Sequence, residues 1–287
     1  MEGLLPDRLK ELWGRVDTGD VSPDAAQQEQ EVLLDEYRAI WTKALVRENE
    51  VDLKHSLLSE LATYLNRADL VEIEARCRAI GSELRAEWER IVKRDDPASI
   101  DRFYDESHAH LFELMWWHSL AEDQTPLAYV LALDFARRRP GRRYLDFGAG
   151  VGSGAILFAE HGFEVALADI SSPLLRFAEW RLAQRGVSAQ IIDLKTARLP
   201  TNTFDLITTM DVFEHLRDPL AAVDQLADAL RPGGHIFGRF AAEKDLERPQ
   251  HILFEFEPTF RRLATHGLAE VWRDQWLWGH QVFRKPL

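Results

Sequence analysis

A single cysteine, Cys77, stands among the 287 residues. That excludes an intrachain disulfide and a cysteine-based zinc site, and it is compatible with a reducing compartment. Long apolar runs are also missing. None approaches the roughly 18–20 residues that a membrane span needs. The first residues, MEGLLPDRLKELW, are charged and amphipathic and do not read as a signal peptide. The expectation is a cytoplasmic chain with no membrane partner. Basic charge is in deficit: the net charge is −13, so no nucleic-acid partner is expected either. No Gly-Lys-Ser/Thr occurs, which excludes the usual triphosphate cradle. Internal repeats and low-complexity tracts are absent.

Apolar content is 46% and charged content 29%, as in an ordinary globular protein. The length allows one large domain or two of common size. The first hundred residues read as helical, with little strand signal. Leu5, Leu9 and Leu12 share a face. So do Leu34, Tyr37, Trp41, Ala44 and Leu45, then Leu57, Leu61, Tyr64, Leu65 and Ala68, then Leu84, Trp88, Ile91 and Val92. Each stripe must be buried, which implies a small helical bundle or hairpin stack. Residues 1–100 carry −8 of the net charge. That is either a solvated acidic face or a module for homodimerisation or docking. His55 and Cys77 are isolated and read as ordinary helix residues.

Residues 101–124 differ in character, because aromatics and histidines crowd together there. Tyr104, His108 and Trp116 are candidate substrate contacts if this segment is a lid; a lid would close over a ligand and exclude water. His108 and His110 are two apart, and His110 and His118 eight apart. Neither is the i, i+4 spacing that brings two helical histidines onto one metal.

From residue 125 to 287 strands and helices alternate. Strands are expected near 142–147, 164–169, 189–192, 204–210, 235–240, 268–275 and 278–284. Helices are expected near 126–138, 153–161, 172–186, 217–230 and 258–266, and Pro232-Gly233-Gly234 should stop the fourth of these. The pattern implies an α/β fold: a mostly parallel, Rossmann-like sheet with an antiparallel last strand, preceded by an all-α segment. Ligands of such sheets lie beyond the carboxyl ends of the strands. Asp146, Asp169, Asp193 and Asp211 end the first four strands, which suits a ligand rich in hydroxyl and amino donors. After Asp146 come Gly148, Gly150, Gly152 and Gly154, a loop on whose backbone a ligand can lie.

Two nucleotides compete for that loop. An acid about 20 residues on grips ribose hydroxyls in dinucleotide enzymes, and Asp169 fits. The third glycine of G-x-G-x-x-G does not fit: its place falls on Ser153 or Ala155. The spacing Asp-x-Gly-x-Gly-x-Gly instead resembles the first motif of class I S-adenosylmethionine-dependent methyltransferases. The resemblance continues in order through Ala168-Asp169-Ile170-Ser171, then Asp193, Leu199-Pro200 and Phe204-Asp205-Leu206-Ile207, then Phe213-Glu214-His215-Leu216, and finally Leu230-Arg231-Pro232-Gly233-Gly234. It covers roughly residues 125–287.

The resemblance implies S-adenosyl-L-methionine as cofactor and a small-molecule methyl acceptor. It implies that Gly148, Ala149, Gly150 and Gly152 pack on the methionine and ribose parts, and that Asp146 reaches the amino group. Asp169, with Ile170 beside it, would take the ribose hydroxyls; Asp193 and Leu194 would meet the adenine; Asp211 borders the same site. A base is needed only where the acceptor must lose a proton; His251 and His215 are the catalytic candidates, and Arg239 could hold an anionic acceptor. Asp211, Glu214, His215 and His251 could instead form a two-carboxylate, two-histidine metal site, although the chain is read as needing none. No Asn/Asp-Pro-Pro-Tyr/Phe follows the fourth strand, and Cys77 lies outside any Pro-Cys turn. Both observations argue against methylation of nucleic-acid bases. The competing readings are a non-catalytic cofactor-binding or docking protein, and an NAD-dependent dehydrogenase.

Overall fold

The computed structural model describes residues 3–93, 95–121, 126–241 and 248–287. Six helices come first: α1 (Leu5–Asp17), α2 (Pro23–Leu45), α3 (Leu53–Tyr64), α4 (Leu70–Ile91), α5 (Ala98–Glu106) and α6 (Ala109–Ser119). Their starts are written in the sequence. The side chains of Ser22, Asp52 and Asp69 accept from backbone N–H groups of the first turns of α2, α3 and α4, satisfying donors that a helix start leaves open. The stripes expected to be buried are buried: Leu5, Leu9, Leu34, Trp41, Leu57 and Leu61 are closed to solvent altogether.

The α/β part follows as α7 (Leu127–Arg137), β1 (Arg143–Phe147), α8 (Ser153–Glu160), β2 (Glu164–Asp169), α9 (Ser172–Gln184), β3 (Ala189–Asp193) and β4 (Phe204–Thr209). A short 3₁₀ turn, Phe213–His215, leads to α10 (Pro219–Ala229), β5 (Leu230–Arg239), α11 (Glu257–Thr265), β6 (Ala269–Arg273) and β7 (His280–Arg284). The sheet order is β3-β2-β1-β4-β5-β7-β6. Strands β1 to β5 pair in parallel, and β7 runs antiparallel to both its neighbours. Strand β5 departs from expectation. It begins at Leu230 rather than after the glycines, pairs there with Phe204, then resumes at His235 opposite Leu206. Residues 231–234 stand opposite the single residue Asp205 across that register shift, and Gly233, at φ +77°, takes the bend.

Alternate residues of the strands enter different cores. Tyr144, Val165, Leu206 and Phe237 belong to one that extends through the first six helices. Leu145, Ala166, Ile207 and Ile236 belong to another, with α10 and α11 residues such as Val223 and Leu263. Helices α7 and α8 explain the asymmetry. Ser153–Phe158 of α8 are buried on every side, and so is nearly all of α7. A helix apolar all round needs cover on two faces. The sheet covers one. Helix α2 packs on α7 and α8, while α3, α5 and α6 pack on α9. Trp41 of α2 donates its indole N–H to the His118 carbonyl (3.0 Å) and stacks on Tyr129 of α7 at 5.8 Å. Among the described residues no helix is long and apolar enough to cross a membrane.

Candidate active site

The loop after β1 is bent by glycines at positive φ, +73° at Gly148 and +53° at Gly150. Neither position has room for a side chain. A Cβ on Gly148 would lie 2.5 Å from Val212, and one on Gly150 would lie 2.6 Å from Leu114 of α6. The loop therefore runs tight against the turn after β4 and against α6. It is held by the strand beside it. Gly148 N–H and Ala149 N–H donate to the Ala168 carbonyl at 2.8 and 3.2 Å, and Gly150 N–H donates to Asp169 Oδ2 at 2.9 Å. The other oxygen of Asp169 accepts from Ser171 N–H at 2.9 Å. Burial raises the Asp169 carboxyl above its ordinary range despite these donors.

A cavity of about 380 Å³ opens over this loop. Its sheet side carries Gly148, Ala149, Gly150, Asp169, Ile170 and Leu194, together with Met210 and Val212 after β4. The facing wall carries Tyr104 of α5 and His110, Glu113, Leu114, Trp117 and His118 of α6. Asp211, Glu214 and His215 enter from the turn after β4, Arg239 from β5, Arg248, Gln250 and His251 from the loop between β5 and α11, and His280 from β7. Tyr129 of α7 also lines the cavity.

Most residues singled out in the sequence meet here, but five do not. Asp146 is fully buried beneath the loop, where its Oδ1 accepts from the Thr208 hydroxyl at 3.1 Å, and burial pushes its carboxyl up to about 7. Gly152 faces Ala178 and Leu167, so its missing Cβ serves helix–strand packing. Asp193 folds back to accept from Lys195 N–H at 2.9 Å; only its neighbour Leu194 reaches the cavity. His108 is exposed at the start of α6, and Trp116 turns toward α4, where the Arg78 guanidinium lies 5.3 Å from its ring. The wall residues of α6 are 110, 113, 114, 117 and 118, a helical i, i+3, i+4, i+7, i+8 face. That spacing was the signal available in the sequence, and it selects Trp117 rather than Trp116. His280 gave no such signal, because its burial follows only from its place in β7. Residues 242–247, in the loop after β5, lie outside the described residues, as do 122–125, where the aromatic segment meets the α/β part.

The turn after β4 and the 250–253 segment are tied together. Ile252 N–H and Leu253 N–H both donate to the Glu214 carbonyl, at 2.8 and 3.0 Å. His215 Nδ1 lies 2.9 Å from the Tyr104 hydroxyl and 3.1 Å from the Gln250 carbonyl. With Nδ1 donating to that carbonyl, Nε2 carries the lone pair. The His251 ring stands 4.9 Å from that of His215, at 74°. Asp211 sits at φ +50° and accepts from Arg239 at 3.2 Å, so Arg239 is paired with an acid. Burial drives several groups toward their neutral forms. It pushes Glu113 up to about 7, and with the Asp211 charge it pushes Glu214 up to about 8. It brings His215 and His280 down to about 4. Ligand atoms of Glu214, His215 and His251 lie within 4.8 Å of one another and could hold a divalent ion. Asp211 is not part of that cluster.

Residues 116–281 match a family model described as a methyltransferase domain. Among curated proteins, a ubiquinone biosynthesis O-methyltransferase of Ralstonia nicotianae is 29% identical over 150 residues, covering 50% of this chain and 60% of that protein. One from Aromatoleum aromaticum is 31% identical over 153 residues, covering 50% and 61%. The alignment thus spans about 60% of the length of the curated relatives. A solved SAM-dependent methyltransferase from Aquifex aeolicus aligns at 18% identity with a TM-score of 0.46, over 66% of this chain and 97% of that one.

Proposed function

The chain belongs to the methyltransferase domain family, and on that premise we propose that it transfers a methyl group from S-adenosylmethionine to a small-molecule acceptor. The observation that carries the reading is Asp169. Its carboxylate is fixed by two backbone donors at the end of β2 and borders the cavity beside Gly148 and Gly150. Each carboxylate oxygen retains a lone pair, so the pair can accept from two neighbouring ribose hydroxyls. The loop holds no basic side chain, so it serves a nucleoside better than a phosphate. Ile170 and Leu194 offer apolar flanks to the base. The residues present therefore fit this cofactor. When bound, it supplies an electrophilic methyl carbon on a sulfonium.

What the protein adds is alignment, exclusion of water and a place for a proton. Alignment alone can supply about 7–11 kcal/mol. Helix α6 closes the cavity with Leu114 and Trp117. His215 is the candidate base, oriented by the Gln250 carbonyl, with His251 beside it. A hydroxylated acceptor gives that base its use, and the relatives named for ubiquinone biosynthesis support an oxygen acceptor. Titration with S-adenosylhomocysteine by calorimetry, followed by methyl release to a panel of phenols, amines and thiols, tests the proposal. Absence of heat at millimolar ligand would sink it. His215→Ala and His251→Ala should lower kcat on phenols by about a hundredfold or more if they move the proton.

A further inference from the structure

The glycine loop is gripped at consecutive residues from two sides. Asp169 holds the Gly150 N–H. The carbonyl of the next residue, Val151, accepts from Arg181 Nη1 of α9 at 2.7 Å, and the same nitrogen donates to Ser153 Oγ at 3.0 Å. Ser153 Oγ also lies 2.9 Å from His118 Nδ1 of α6. Arg181 is fully buried, as is its counter-ion, Glu60 of α3. Arg181 Nε and Nη2 both donate to Glu60 Oε2, at 3.0 and 2.9 Å. Glu60 Oε1 accepts from Arg185 Nε at 2.9 Å, and Arg185 in turn donates to the Ala44 and Leu45 carbonyls at the end of α2.

We propose that Arg181 is a positioning residue for the cofactor loop and that Glu60, supplied by the helices ahead of the sheet, holds it in place. Residues 1–100 thereby take part in cofactor binding. The physical need lies in Gly152, at φ +75°. Glycine accepts either orientation of the peptide before it at little cost. Without a donor on its carbonyl, the Val151–Gly152 peptide keeps only the bond from Gly152 N–H to the Ala149 carbonyl (2.9 Å), and more of the loop must be ordered each time ligand binds. A guanidinium suits the task because its fork serves a carboxylate and a carbonyl at once. Among the described residues its counter-ion is Glu60, which lies more than a hundred residues away in sequence.

The inference rests on the reading of the cavity as a cofactor site, so wild-type binding of S-adenosylhomocysteine is measured first. A wild type that binds none at millimolar ligand overturns that reading and this inference with it. With binding established, Arg181→Met is decisive, because Glu60 keeps Arg185 and the fold is spared an unpaired acid. The expected result is a Kd for S-adenosylhomocysteine raised about tenfold. The KM for the cofactor should rise in parallel and that for the acceptor should stay unchanged, with faster hydrogen exchange at residues 150–154. Should Arg181→Met fail to fold, Arg181→Lys replaces it. A lysine keeps the pair with Glu60 but cannot also span to Val151, and it should give an intermediate Kd. Glu60→Gln should raise Kd in the same direction. A Kd within twofold of wild type in Arg181→Met or Arg181→Lys, with only the thermal midpoint moved, makes the network purely structural and refutes the proposal. An unchanged Kd in Glu60→Gln removes the part assigned to the helices.

Discussion

Gly150→Ala measures how closely the helical wall is pressed on the cofactor loop. The new Cβ would lie 2.6 Å from Leu114 Cδ1 at a residue held at φ +53°. The left-handed conformation costs an alanine about 1–2 kcal/mol. Crowding of this kind costs about 1–3 kcal/mol, toward the lower end here because a leucine methyl can swing away. The single variant should lose about 2–4 kcal/mol in all. Leu114→Ala removes the obstructing atoms and, at a half-buried position on a cavity wall, should cost less than about 2 kcal/mol. In the double variant the crowding vanishes and only the backbone cost remains. The two substitutions should therefore be less than additive by about 1–2 kcal/mol. Urea unfolding of the four proteins gives the cycle, and calorimetry with S-adenosylhomocysteine shows whether binding follows it. Additivity within about 0.5 kcal/mol would mean that α6 does not press on the loop in solution, and the description of the closed wall would be wrong.

Asp169→Asn leaves one of the two backbone N–H groups facing an amide NH₂, and weakens both loop and ligand. The Kd for S-adenosylhomocysteine should rise by at least about tenfold, and a value within twofold of wild type contradicts the role given to this acid. Glu214 titrates near 8 in the folded protein against an ordinary 4.5, and Glu113 near 7. The folded state thus holds protons that the unfolded chain has released. The two acids make stability fall as pH rises toward 8, whereas His215 and His280, held neutral down to about 4, add stability as pH rises to about 6.5, so the thermal midpoint should drop between pH 7 and pH 9. Glu214→Gln should flatten that slope; an unaltered slope would place the proton elsewhere. Chelation with EDTA should leave turnover unchanged, because two guanidiniums, Arg239 and Arg248, line the cavity with the Glu214–His215–His251 cluster. Loss of activity restored by one divalent ion would reverse that expectation.

The order and class of elements were legible because each carries a local signature. The edges of β2 and the start of α9 coincide with a run closed by Asp169 and a Ser-Pro start. The extra residues of β5 were not legible: Pro232-Gly233-Gly234 reads as a stop, and only pairing with Phe204 shows that the strand has already begun. The same division holds at the site. Asp169 and Gly150 announce themselves by spacing. Asp193 has the right spacing too, yet its Oδ1 turns back to the Lys195 N–H and only Leu194 lines the cavity. The choice between Trp116 and Trp117 depends on how α6 is rotated about its axis. That rotation is set by α3, α4 and α9 together, so it is a tertiary fact.

The absence of a polar face on α7 and α8 has a practical corollary. In a free-standing sheet domain these helices would form the outer skin, and their far sides would meet water as a continuous oily strip. Here the first six helices wear the charge instead. A chain that begins near residue 125 should lose solubility before it loses any strand. The early part of the chain acts as a built-in coat, and attempts to crystallise or graft the sheet half should carry it along.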